Sequence, residues 1–248
     1  KILLEQPGLG RFEEALSSGQ FRMYLQPLVR KDGSVIGAEA LARWYRPDGS
    51  MIMPGDFIET LETAGLIHKL DRHMWELAVK QLSMWKGTDR RNLTISVNVS
   101  AKDFYSIDVA RVMIELVDRY GVDSRMLRLE ITETAFLGKS DKYENIVSVL
   151  RQKGFIVEID DFGKDNSTLS FLKDINADVL KIDMSLLQEI QDNERNQIVL
   201  KSVIGMADSL GMDVITEGVE TEEQLRILTE MGCNHFQGYY FCRPVPVD

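Results

Sequence analysis

The feature that most limits the fold is a rhythm in the pattern of apolar residues. From residue 94 onward, short apolar runs alternate with longer amphipathic ones. This rhythm predicts strands at 94–100, 126–133, 156–162, 179–183, 214–220 and 235–241, with helices at 109–120, 143–153, 196–210 and 222–231. Gly121, Gly154, Gly211 and Gly232 fall where a left-handed C-cap would end each helix. Strand followed by helix, repeated, argues for a parallel sheet with helical crossovers. Upstream, Lys31-Asp32-Gly33-Ser34 separates apolar runs at 21–29 and 35–44 and reads as the turn of an antiparallel hairpin. Residues 10–18 read as a short helix, and 54–85 as two helices broken near Gly65. Eight strands with flanking helices in 248 residues favour a closed α/β barrel, made imperfect by the opening hairpin. An open doubly wound sheet is the alternative. It would carry a glycine-rich phosphate loop, and neither G-x-G-x-x-G nor a Walker motif is present.

Barrels of this kind place their chemistry at the C-terminal ends of the strands, and polar residues gather there. They are Asn98, Glu130, Glu133, the adjacent Asp160 and Asp161, Lys181, Glu217 and Gln237. Taken singly, Asp160-Asp161 is more often a solvated acidic turn, and Lys181 more often a salt-bridge partner of Asp161 or Glu217. Taken together, charged groups in otherwise apolar strands point to a site, since each is costly to bury unless paired or bound to metal. Strand side chains alternate in direction, so Asp160 and Asp161 converge only if the strand is ending, as Gly163 and the polar residues after it indicate. The donors are oxygens, while His68, His73, His235, Cys233 and Cys242 lie outside the set, a pattern that suits Mg²⁺ or Mn²⁺. So many carboxylates have room for two ions, the arrangement used for in-line displacement at a phosphodiester. Lys181 is placed to orient or help deprotonate an attacking water. Glu39 and Arg43 lie four apart on one strand and share a face, so metal and phosphate are served together.

Charge restricts the partners. A net charge of −10 argues against duplex nucleic acid and anionic membrane surfaces. Two cysteines near the C-terminus form no disulfide framework, and no apolar run is long enough to span a membrane, so a cytoplasmic location is expected. The chain lacks an initiating methionine and reads as a segment of a longer polypeptide.

Glu39-Ala40-Leu41 with Arg43, followed in order by these strand-end residues, resembles the EAL-domain family of bacterial cyclic di-GMP phosphodiesterases. The likeness runs from about Phe21 to Pro244. It implies a modified TIM (β/α)8 barrel over 21–248 whose first strand is antiparallel, preceded by a helical lead-in over 1–20 that joins an upstream sensory or regulatory domain. It further implies hydrolysis of cyclic di-GMP to linear pGpG with Mg²⁺ or Mn²⁺, and a homodimer. Carried over residue by residue, Glu39, Asn98, Glu130 and Asp160 resemble ligands of one metal, and Asp161 with Asp160 those of a second. Glu217 completes the cluster, Lys181 positions the nucleophilic water and Gln237 supports the site. Gln26, Arg43 and Glu220 resemble substrate contacts, and Glu133 the brace of the loop after the aspartates.

That loop departs from the family. Members that turn over continue Asp-Asp-Phe-Gly with Thr-Gly-Tyr-Ser-Ser-Leu, whereas this chain reads Lys164-Asp165-Asn166-Ser167-Thr168-Leu169. A second reading is therefore a catalytically silent cyclic di-GMP receptor. A third, independent of the resemblance, is a metal-assisted proton-abstraction enzyme with a strand-end lysine as base.

Overall fold

The computed structural model describes residues 8–133, 135, 141–164, 176–188, 190–191 and 193–247. Helix α1 (Gly8–Ser17) leads into the hairpin of β1 (Phe21–Arg30) and β2 (Val35–Tyr45), and the two-residue β3 (Met51–Ile52) follows. Helices α2 (Pro54–Thr63) and α3 (Ile67–Trp85) then precede β4 (Thr94–Asn98). The alternation continues with α4 (Asp103–Ser106), α5 (Val109–Tyr120), β5 (Leu127–Thr132), α6 (Asp141–Gln152), β6 (Ile156–Phe162) and β7 (Val179–Ile182). It closes with α7 (Glu194–Ser209), β8 (Asp213–Thr216), α8 (Glu222–Glu230), β9 (His235–Phe236) and β10 (Val245–Pro246).

Strand β2 pairs in parallel with β4, and each later strand with the next as far as β9, while β1 runs antiparallel to both β2 and β9 and so closes the barrel. Eight strands form the wall, with β3 and β10 as short additions at its edges. The antiparallel first strand and the break between α2 and α3 agree with the sequence reading. Strands β4, β8 and β9 stop earlier than their apolar runs, at Asn98, Thr216 and Phe236.

The main core lies between the wall and the helices. Alternate strand residues such as Leu129, Val157, Ile159 and Leu180 face it and are fully buried, as is Trp75 on α3. The opposite residues of the same strands face the lumen, where Leu28, Val179 and Ile215 form a separate small apolar cluster. Gly121 ends α5 at φ 60°, a left-handed cap that lets Val122 N donate to Val117 O. Thr221 and Gln224 start α8 with a reciprocal capping box.

Candidate active site

Period-2 alternation decides which strand residues can meet. Gln26, Glu39, Asn98, Glu130, Asp160 and Lys181 all point into the lumen near the C-terminal mouth, joined by Glu217 and Gln237 just past β8 and β9. At the centre stands Lys181, whose side chain is only 1% exposed. Its Nζ is 2.6 Å from Glu130 Oε1, 2.6 Å from Glu217 Oε1, 3.3 Å from Asp160 Oδ1 and 3.7 Å from Glu39 Oε2. These are ion pairs by proximity; none has the alignment of a full hydrogen bond. Glu39 is held from two sides: Asn98 Nδ2 donates to Oε1 at 3.4 Å and Gln237 Nε2 donates to Oε2. Gln237 Nε2 also donates to Gln26 Oε1 at 3.2 Å, so the amides link β1 to the acidic cluster.

Asp160 and Asp161 come together by a different device from the one the sequence suggested. The strand does not end before them. In the β6–β7 register Ile159 faces Leu180 and Phe162 faces Ile182, so both aspartates oppose the single residue Lys181, a β-bulge. Asp161 takes φ 58°, the one positive value at a non-glycine position among the described residues, and one that a short polar side chain tolerates. The bulge sends Asp160 to Lys181 and Asp161 to Lys164, whose Nζ lies 3.1 Å from Asp161 Oδ2. Lys181 is thus paired with Glu217 and not with Asp161.

Two further predicted contacts stand away from the cluster. Arg43 continues the Glu39 face of β2, buried, its guanidinium 5.6 Å from the Tyr24 ring centre while Nη1 donates to Ala42 O at 2.9 Å. Glu220 is exposed, and its backbone N donates to Gln224 Oε1. Glu133 is buried, at 5% exposure, but the loop it would brace, 165–168, lies outside the described residues.

The electrostatics follow from four carboxylates and one ammonium. Burial raises the Glu130 carboxyl well above the usual range, and the charges of Glu39 and Asp160 raise it further, against the opposing pull of Lys181. Glu217 is pushed up to about 8, chiefly by burial and then by Asp160 and Glu39. Burial also works to deprotonate Lys181, but Asp160, Glu130, Glu217 and Glu39 together outweigh it and raise its pKa well above the ordinary lysine value. The ammonium therefore stays protonated, which suits orienting a water and leaves it no free pair with which to act as a base.

A pH dependence follows. Between the ordinary glutamate range and about pH 8 the folded protein holds a proton on Glu217 that the unfolded chain has lost. Metal-free stability is then full below that window and declines as pH rises through it. A divalent cation held by this set would need the carboxylates deprotonated, so any stabilisation it supplied would grow over the same range. Thermal midpoints from pH 5 to 9 with and without Mn²⁺ are expected to diverge; parallel curves would contradict the assigned charges.

The oxygen set fits a hard divalent cation. Glu130 Oε2 and Asp160 Oδ1 are buried with no hydrogen-bond partner among the described residues. Those residues nonetheless contain no group of three or more carboxylates close enough to form a ready-made metal centre, since the Lys181 ammonium occupies the space between them. Sequence reasoning missed the polar layer beneath this site, where Glu158 is fully buried against Ser96 and Arg128. The available signal was a charged residue two places before Asp160 in an apolar strand. It also missed the paired acids Asp71 and Asp103 behind β4, both raised chiefly by burial, Asp103 to about 6.

This fold and site define a closed barrel of mixed strand direction with a lysine-centred acidic pocket at its strand ends. A model of the EAL domain matches residues 10–244, and the chain belongs to the EAL-domain family. It is 36% identical over 238 residues to the signaling protein YkoW of Bacillus subtilis, covering 95% of this chain and 29% of that protein. It is 32% identical over 236 residues to the bifunctional diguanylate cyclase/cyclic di-GMP phosphodiesterase MucR of Pseudomonas aeruginosa, covering 95% of this chain and 34% of MucR. The chain thus spans about a third of the length of these relatives. The solved structure of PaMucR phosphodiesterase in complex with c-di-GMP superposes with a TM-score of 0.89 at 32% identity, covering 96% of this chain and 97% of that one.

Proposed function

We propose that this chain hydrolyses cyclic di-GMP to linear pGpG in a reaction dependent on Mg²⁺ or Mn²⁺, with two ions when both positions are filled. The observation that carries this is the buried Lys181, held at the barrel mouth by carboxylates from four different parts of the wall. Family membership and the activity named for MucR support the substrate. Glu39, Asn98, Glu130 and Asp160 would hold the first ion, Asp161 with Asp160 the second, and Glu217 completes the set. Bound metal supplies positive charge to the phosphodiester and acidifies the attacking water. Lys181 orients that water with its N–H groups, while Gln237 and Asn98 fix the Glu39 carboxylate. Gln26, Arg43 and Glu220 contact the nucleotide, and Glu133 braces the loop beside the aspartates. A homodimer, attached sensory domains and a cytoplasmic location belong to the same reading; among the described residues no helix is long and apolar enough to cross a membrane.

The test is the purified chain with cyclic di-GMP and Mn²⁺, products resolved by chromatography. Linear pGpG that disappears with a chelator supports the proposal. Calorimetric binding without any pGpG would instead support the silent receptor.

The receptor reading is favoured by one observation, the Lys164–Asp161 ion pair, which sets a resident cation against the second metal position. Both partners are partly solvated, so the pair itself is weak. Lys164→Thr is expected to tighten the weaker phase of a Mn²⁺ titration about 3- to 10-fold, the concentration factor for roughly 1 kcal/mol of competing pair energy. An unchanged titration would show that Lys164 does not compete.

A further inference from the structure

One interior step below the proposed ligands, the lumen carries charge where a barrel floor is usually apolar. Ser96 Oγ donates to Glu158 Oε2 at 2.9 Å, and Arg128 Nη1 donates to Glu158 Oε1 at 2.9 Å. Glu158 has no exposed surface, and Ser96 very little. The three residues come from β4, β5 and β6. Each precedes a proposed ligand by two on its own strand: Ser96 before Asn98, Arg128 before Glu130, Glu158 before Asp160. The register places Ser96 beside Arg128, Asn98 beside Glu130, and Glu130 beside Glu158. A spacing of two keeps both members of each pair on the lumen side, so the buried network and the ligand row are consecutive layers of one scaffold.

A buried ion pair adds little net stability, because desolvating both charges offsets their attraction. What it does supply is a fixed geometry, since Glu158 satisfies both donors only at one relative placement of three strands. We infer that Glu158, clamped by Ser96 and Arg128, is a positioning residue that sets the spacing of Asn98, Glu130 and Asp160 for the metal. The inference rests on the reading above that these three bind it. The clamp acts through strand placement and touches neither nucleotide nor metal.

The test compares the wild-type chain with Glu158→Gln and with the double variant Arg128→Met/Glu158→Leu, which removes the buried Glu158 charge together with its half-buried arginine partner and keeps the volume filled. Mn²⁺ affinity is measured from the electron-paramagnetic resonance of free Mn²⁺, beside the thermal midpoint of the metal-free protein. The double variant is expected to keep a midpoint near the wild-type value while binding Mn²⁺ roughly 10- to 100-fold more weakly, the range typical of lost outer support for metal ligands. Glu158→Gln keeps the side-chain shape but one acceptor oxygen in place of two, so it loosens the clamp without emptying it and should fall between the two. A folded double variant with wild-type Mn²⁺ affinity overturns the inference. If the double variant fails to fold, Glu158→Gln decides: unchanged Mn²⁺ affinity overturns it equally. Absence of Mn²⁺ binding in the wild-type chain would overturn the proposed function itself, whereas tight wild-type binding with indifferent variants sinks only the clamp.

Discussion

Lys181→Ala is expected to lower pGpG production by roughly 10²- to 10³-fold, the usual worth of a preorganised N–H donor at the reacting atoms. Calorimetric affinity for cyclic di-GMP should change little, because the proposed nucleotide contacts Arg43 and Glu220 stand away from the lysine and Gln26 reaches the cluster through Gln237. The same substitution has a second signature. Lys181 is the only cation within ion-pair distance of Glu130 and Glu217 among the described residues, and removing it leaves buried carboxylates facing one another. Breaking such a pair from one side costs about 3–5 kcal/mol when the remaining charge cannot escape. Protonation offers an escape at low pH, so the loss in thermal midpoint should be larger at pH 8 than at pH 6. Loss of nucleotide binding, or a loss of stability independent of pH, would contradict the role assigned to Lys181.

Glu130→Gln should move activity and stability in opposite directions. In the proposed ligand role Glu130 offers a buried oxygen that has no hydrogen-bond partner among the described residues, and the amide replaces it with a poorer donor. Turnover at fixed Mn²⁺ is expected to fall at least ~100-fold, with a matching loss of Mn²⁺ affinity. Without metal, however, Glu130 is a buried carboxyl among Glu39, Asp160 and Glu158, all of which disfavour its charge. Glutamine removes one negative charge and leaves Lys181 with three remaining carboxylate partners. The metal-free protein should therefore gain stability, most of all near pH 8, where the crowded carboxyl group costs the folded state most. A destabilised metal-free variant would show that the Lys181–Glu130 contact outweighs the crowding.

Much of the fold was legible in the sequence because strand and helix periods differ and the chain keeps switching between them. The Asp32-Gly33 turn marked the reversal of direction between β1 and β2, and the structure has it there. Strand ends were harder to read. The apolar runs past Thr216 and Phe236 continue as if in a strand, but the backbone turns away at Gly218, with φ 69°, and at Gly238. A Cβ on Gly238 would lie 2.1 Å from Val219 O, so the close approach that ends β9 is open to glycine alone. The site was legible wherever a charged residue interrupted an apolar strand near its end, as Glu130, Asp160 and Lys181 do. Glu158 escaped because a carboxylate deep in a strand declares a partner without saying which, and Arg128 is 30 residues away in sequence. The bulge at Asp160-Asp161 escaped because register depends on the neighbouring strand.

The reversed β1 has a mechanical consequence. Its N-terminal end lies at the mouth, so the chain enters from α1 at the rim instead of the floor, and Phe12 packs edge-on against Phe21 with ring centres 5.6 Å apart. The other end of the chain reaches the same strand, where Leu25 pairs with Val245 and Tyr24 with Pro246. Both ends thus grip β1 within a few residues of Gln26, which hydrogen-bonds Gln237 beside the acidic cluster. A pull or twist on the N-terminal end travels along about 17 Å of one strand, from Phe21 to Gln26, and one on the C-terminal end has only the step from Leu25 to cross, with no helix in between to absorb either. The first strand is a lever with its handle at the chain ends and its tip in the pocket.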